Sequence, residues 1–428
     1  MLHPHRKVKC EGNRARILNL GSAATIAILL LVPLCFAPRV LASSSGSSPA
    51  SRLGVPPDVT LRTLTSPNAQ AAGHFGDGVA VDGTTVVVGA SGESAKGLSE
   101  AGHAYVFGAR TGSQLHALTS PNAQSGGYFG YSVAVSGRLV AVGAPYEAAS
   151  GLSGAGQVYT FSALTGNLLH TFDSSNAEVG GNFGFRVAMN GNVLVVSARD
   201  ETVNGIADSG RVYMFNARTG ALLHTLTSPS SAGFFGSSVA LGGNTVVVGA
   251  SFETAKGMNG AGHAYTFNAN TGALIRTYTS PNPVQSGFFG WSVGVSRNTV
   301  VVGANRETVG SEVEAGRAYA FSAATGDLMR TFTSPRATEF VEFGSSVAIS
   351  GNTVVVGEST GGPVNSGEVY AFNARTGALL QSFTSPNVVD YGHFGVAVSL
   401  GGRTMIVGAS SETAGGLELA GNAYVYRP

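Results

Sequence analysis

Apolar and polar residues alternate along this chain in short runs, and the runs recur. Phe129 to Val135 (FGYSVAV) alternates apolar with small or polar positions, as a half-buried strand does. Ser136-Gly137-Arg138 reads as a tight turn, and Leu139 to Ala144 (LVAVGA) as a second strand of β-branched and small residues. A long loop follows, Pro145 to Gly156. Gln157 to Ala163 (QVYTFSA) alternates again, Leu164-Thr165-Gly166 turns the chain, and Asn167 to Phe172 (NLLHTF) gives a fourth strand. The pair Phe-Gly marks each unit, at 75–76, 129–130, 183–184, 235–236, 289–290, 343–344 and 394–395. The steps of 54, 54, 52, 54, 54 and 51 residues place seven units between residue 59 and residue 428.

Seven copies of four short antiparallel strands predict an all-β fold, a seven-bladed β-propeller whose blades start near 75, 129, 183, 235, 289, 343 and 394. The seventh unit stops at Tyr424-Val425-Tyr426, after its third strand. The segment Val59 to Asn68 (VTLRTLTSPN) reads like the fourth strands Ala221 to Pro229 (ALLHTLTSP) and Ala378 to Asn387 (ALLQSFTSPN). Residues 59–66 are therefore expected to complete blade seven in a 3+1 closure, which also removes the open strand edges of an unclosed ring.

The residues before the repeats have a different character. Met1 to Arg16 is basic, Ile17 to Phe36 is apolar, and Val40-Leu41-Ala42 offers small residues at the spacing a signal peptidase reads. Residues 1–42 are expected to be a signal peptide and 43–58 a flexible linker, so the protein is expected to be secreted or held at the cell surface. A membrane association is expected only if the leader stays uncleaved. Both cysteines, Cys10 and Cys35, lie in the leader, so residues 43–428 offer no disulfide and no thiolate ligand. That part has 19 Lys and Arg against 23 Asp and Glu, a net charge of −4, which argues against nucleic acid as a partner.

The motif Phe129-Gly130 … Gly143-Ala144-Pro145 resembles the FG-GAP repeat, found in the propeller of integrin α subunits and in many exported bacterial proteins. Other units carry close variants; the third reads Val196-Ser197-Ala198 and the sixth Val356-Gly357-Glu358. In integrins several repeats carry a calcium loop between the first two strands. Here that connection is a short turn such as Asp82-Gly83 or Asn190-Gly191, too poor in oxygen ligands for calcium, so no metal site is expected. A second stretch, Ala217-Arg218-Thr219-Gly220-Ala221-Leu222-Leu223, is similar to the turn of quinoprotein propellers. Those place Trp after the turn, where His224 or Arg276 stands here, so no quinone and no other cofactor is expected.

Several positions invite a functional reading. A Glu recurs after the second strand, at Glu93, Glu147, Glu201, Glu253, Glu307 and Glu412, while the sixth unit has Gly361 there. A residue repeated in nearly every blade suits loop bracing better than chemistry, and acceptance of the loop's own backbone N–H groups is the expected role. The turn lengths put two long connections of each blade on one face, where a ligand would sit. There the position before Phe-Gly varies, with His74, Tyr128, Phe234, Phe288 and His393 among its occupants. The position before the loop Glu holds Tyr146, Phe252 and Arg306. Aromatic and Arg side chains are the usual anchors of contacts, so these eight are the candidate ligand-binding residues. No catalytic constellation stands out. The expected function is a monomeric, non-enzymatic, adhesion-type module binding a protein or glycan ligand. A secreted hydrolase or lyase working at the channel mouth and a structural envelope or matrix protein are the alternatives.

Overall fold

The computed structural model describes residues 59–230 and 232–427; the leader and linker lie outside the described residues. Seven four-stranded antiparallel sheets form the ring. The third blade shows the pattern, with strands Phe183–Asn190, Val193–Ala198, Arg211–Asn216 and Leu222–Thr227 hydrogen-bonded in sequence order. First strands from all seven blades line the central channel. Second strands are buried along almost their whole length, for example Thr245–Ala250 (TVVVGA), with Val246, Val247 and Val248 fully inaccessible. Each blade is covered on both faces by its neighbours, so these strands read as unbroken apolar runs rather than as alternating ones. Fourth strands form the outer rim and bury chiefly one residue each, such as Leu64, Phe172 or Tyr278.

Closure follows the displaced strand. Thr60–Leu64 pairs with Asn422–Arg427 from Thr60↔Arg427 to Leu64↔Ala423, and completes the sheet begun by Phe394–Gly401. Leu64 packs there in a cluster shared with Phe75, Val86 and Phe107 of the first blade.

The Phe-Gly pair makes the contact between blades. All seven Phe side chains are buried at 0% exposure. Phe129 sits in one cluster with Val87, Ala104 and Leu118 of the preceding blade and Val142 and Tyr159 of its own. Its ring lies 5.8 Å from Tyr159 and edge-on to Phe161 at 6.0 Å. The Phe amide donates to the preceding blade, Phe129 N–H to the Ala101 carbonyl at 3.0 Å, and the series ends where Phe75 N–H meets the Ala420 carbonyl at 2.9 Å. Three glycines make this crossing possible. A Cβ on Gly130 would lie 2.2 Å from the His103 carbonyl oxygen, one on Gly89 1.9 Å from that of Gly130, and one on Gly102 2.0 Å from that of Phe129.

Where the sequence predicts a strand from Phe129, the regular ladder begins at Ser132. In other blades the ladder skips register after the Phe, as between Phe183 and Val187. Gly130 and its counterparts, with φ near +95°, bend the chain into a bulge there.

Deleting residues 59–66 should leave Asn422–Arg427 as an open edge and uncover the Leu64 site. Burial of one Leu contributes about 1.5–3 kcal/mol, and the lost strand ladder adds to that. A fall in melting temperature of about 5–10 °C relative to a chain starting at residue 58 is expected by circular dichroism. A change of less than about 2 °C would show that closure does not depend on this strand.

Candidate functional site

The recurring carboxylates form clasps between blades. Glu201 is fully buried and accepts hydrogen bonds from the Tyr213 hydroxyl of its own third strand, at 2.6 Å, and from Ser174, which belongs to the preceding blade. Glu93 takes Tyr105 at 2.6 Å and Ser66, Glu307 takes Tyr319 and Ser280, and Glu412 takes Tyr424 at 2.5 Å and Ser385. Glu253 is held by Tyr265 and Ser228, and Glu147 by Tyr159 at 2.5 Å. The partners are hydroxyls rather than the backbone N–H groups expected from sequence. The Ser donor comes from the preceding blade, so the contact braces the junction and not merely the loop. Ser66, part of the N-terminal segment, extends the same clasp across the closure.

The first residue of the third strand also faces the clasp and varies in kind. His103 Nδ1 lies 3.0 Å from Glu93 and His263 Nδ1 2.8 Å from Glu253, while Arg211 and Arg317 approach Glu201 and Glu307 at 3.4 and 3.7 Å. Asn422 donates to Glu412 at 2.7 Å. The sixth blade is rebuilt. Glu358, at the end of its second strand, fills the space, and a Cβ on Gly361 would fall 1.9 Å from its Oε1. Tyr370 donates instead to Glu368, which Arg336 pairs at 2.9 Å. Sequence reasoning missed Glu358, although its replacement of the usual Ala in the second-strand motif was visible.

Burial raises five of these carboxyls, partly offset by donated hydroxyl bonds. Glu147, Glu201 and Glu307 are pushed up to about 7 and Glu358 to about 8; Glu412 is raised as well. The clasp Tyr hydroxyls are raised in turn, foremost by burial and then by the adjacent carboxylate.

The candidate ligand residues lie on the long-loop face, and six of the eight join one arc. Tyr128 meets Tyr146 edge-on at 5.5 Å, and Tyr146 meets Tyr131 at 6.1 Å. Tyr131 leads to Phe185 at 5.3 Å, over which the Arg199 guanidinium lies at 3.8 Å. Arg199 reaches Phe234 at 5.4 Å, followed by Phe252 at 5.0 Å and Phe288 at 4.6 Å from Phe252. Phe288 stacks on Trp291 at 5.8 Å and carries Arg306 at 5.5 Å. Arg306 is also held by Glu314 at 3.5 Å and Glu342 at 3.3 Å.

His74 and His393 stand apart from this arc, on blades one and seven. Burial lowers the His393 imidazole, with Asp77 opposing and His74 assisting. The residue before Phe-Gly has a φ of +52° to +56° in every blade, so the fold holds these side chains in a left-handed bend that ordinary residues adopt at a cost.

Tyr131, Phe185, Arg186 and Trp291 were not among the sequence candidates. Tyr131, Phe185 and Trp291 occupy the first position after Phe-Gly and Arg186 the second, where the other blades carry mostly small residues. The same variation between units that singled out Phe234 and Phe288 marks them. Among the described residues no cluster of three or more His, Cys, Asp or Glu has a metal-holding arrangement.

The FG-GAP repeat family model matches residues 60–107, 113–161 and 379–426, the last of these ending in the closed seventh blade. The chain is an FG-GAP-repeat β-propeller. A second family model, described as outer membrane protein assembly factor BamB, matches residues 208–388 of this FG-GAP propeller. No curated protein sequence matches it. Among solved structures the propeller is similar to a chain in the crystal structure of the mitotic checkpoint complex, with a TM-score of 0.57 and 17% identity over 93% of this chain and 99% of that one. A crystal structure of the computationally designed Ika8 protein gives a TM-score of 0.49 and 19% identity over 85% and 99% of the two chains. At these identities the first likeness speaks to fold alone.

Two outcomes follow from the clasps. A Glu whose folded pKa lies above its unfolded value of about 4.5 takes up a proton on folding, so stability falls as pH rises from about 4.5 through 7 to 8. The melting temperature should therefore be several degrees higher at pH 5.5 than at pH 8.5, and Glu201→Gln should flatten part of that slope. A melting temperature that rises with pH over this range would contradict the buried, raised carboxyls. Glu201→Ala, which strands the Ser174 and Tyr213 hydroxyls, should cost about 1–3 kcal/mol in denaturant unfolding, and Glu201→Gln should cost less.

Proposed function

We propose that this FG-GAP propeller is an exported, non-enzymatic binding module that presents its long-loop face to a protein or glycan ligand. The observation that carries the reading is the aromatic and Arg arc. Tyr146, Phe252 and Trp291 are 36–38% exposed on loops and strand ends held by a rigid ring. Large aromatics with two side-chain torsions offer contact area at low ordering cost, which is why binding surfaces favour them. The scaffold does not require them, because the equivalent positions in blades one, six and seven carry Gly92, Ser345 and Val396 instead. Export rests on the basic, apolar and small-residue order of residues 1–42.

Purified protein from residue 43 onward, screened on glycan arrays and against cell-surface protein extracts, should find a ligand. Phe252→Ala and Tyr146→Ala should each weaken that binding about tenfold or more while moving the melting temperature by less than about 2 °C. Silence in both screens, or a ligand indifferent to both substitutions, would sink the reading.

A further inference from the structure

The arc curves around a depression at the channel mouth of about 250 Å3, rimmed by Tyr131, Arg186 and Trp291 and by Asp77 from the first blade. Arg186 is out of pattern. It stands three residues after the Phe of its repeat, where the other six blades carry Gly78, Ser132, Ser238, Ser292, Ser346 and Ala397. Those serines serve the scaffold, since Ser132 donates to the Gly184 carbonyl at 2.8 Å and Ser238 to that of Gly290 at 2.7 Å, each in the following blade. The third blade has lost that hydroxyl and carries another nearby. Ser197 replaces the second-strand Gly of every other unit, and its hydroxyl accepts the Arg186 amide at 2.9 Å. The two departures sit side by side and leave a guanidinium at the mouth.

That guanidinium is uncommitted. Its carbon lies 4.4 Å from the Phe185 ring centroid and 5.4 Å from that of Tyr131, and one N–H donates to the Phe185 carbonyl at 3.1 Å. Among the described residues no carboxylate stands within ion-pair distance of it, whereas Arg199 is paired with Asp200 at 3.3 Å and Arg306 with Glu314 and Glu342. Four of its five N–H donors are thus left for a planar, bidentate anion such as a carboxylate.

We infer that the mouth binds the terminal residue of an acidic glycan, with the sugar carboxylate on Arg186 and the ring against the exposed faces of Tyr131 or Trp291. This rests on the reading of the long-loop face as a binding surface. The cavity is below the 300–1,000 Å3 range of drug-sized sites, so it suits a single sugar ring rather than an extended peptide.

The test pairs oligosaccharides ending in a hexuronic or sialic acid with neutral counterparts of the same backbone, on the intact domain from residue 43. Acidic forms should bind at least about tenfold more tightly, and the difference should shrink at high salt. Arg186→Gln should abolish the preference for the acidic form. Arg186→Ser combined with Ser197→Gly returns the blade to the common pattern, so it should fold normally and also lose the preference. Equal binding of acidic and neutral glycans, or a preference untouched by Arg186→Gln, would overturn the inference while leaving the binding face intact. Capture of acidic peptides in place of glycans would overturn it too, and failure to bind any glycan or protein would overturn both.

Discussion

Everything in this molecule hangs on the junction where the Phe-Gly pair of one blade crosses the preceding blade. No blade has a core of its own. Phe129 buries itself half against its own Tyr159 and Phe161 and half against Val87, Ala104 and Leu118 of its neighbour. The backbone hydrogen bond from Phe129 to Ala101 fixes the separation, and Gly89, Gly102 and Gly130 permit it, since any Cβ at these points would collide with main-chain oxygen. A ring made from such contacts is as stable as its weakest junction, which explains why the closing one is built from the same parts. Phe75 donates to Ala420, and Ser66 clasps Glu93, as in the interior junctions.

The clasp adds an electrostatic constraint to this packing. A fully buried carboxylate is costly unless it is hydrogen-bonded, and two hydroxyls from different blades supply the bonds. The arrangement gives direction to a contact that apolar packing alone leaves loosely specified. The sixth blade departs from this plan, since Tyr370 donates to Glu368 and one oxygen of the buried Glu358 has no hydrogen-bond partner. Its carboxylate comes from Glu358, its loop accommodates it with Gly361, and Arg336 balances the second acid, Glu368. The fourth strands add a smaller brace on the opposite side. His170 and His224 place Nε2 2.7 and 2.9 Å from the Arg218 and Asn270 carbonyls of the next blade's turn.

Much of the fold was legible because its determinants are local or periodic. The Phe-Gly spacing, the fully apolar second strands and the displaced Thr60–Leu64 strand all declare themselves within a few residues or by repetition. The clasp was only half legible. Its Glu stood out, but the Ser donor lies 27 residues upstream in several blades, in another sheet, and Ser is too common for the spacing to be noticed. The arc was legible as a set of varying positions and not as a surface. Nothing local says that Phe252 and Phe288, from different blades, touch at 4.6 Å, or that His74 and His393 lie elsewhere.

The separation between scaffold and surface has a physical reason. Most junctions consume the Phe, the three glycines, the Glu, the Tyr and the Ser, and these admit little change because each meets a fixed backbone or a buried partner. The residues flanking them meet solvent and their counterparts in adjacent blades, so they are free to differ from unit to unit. An arc of aromatic side chains confined to four of seven blades is what such freedom allows: the ring keeps sevenfold regularity inside while one sector of its face departs from it. Arg186 and Ser197 mark a place where the departure reaches the junction itself. There a scaffold hydroxyl has moved from the first strand to the second, and the vacated position carries a charge instead.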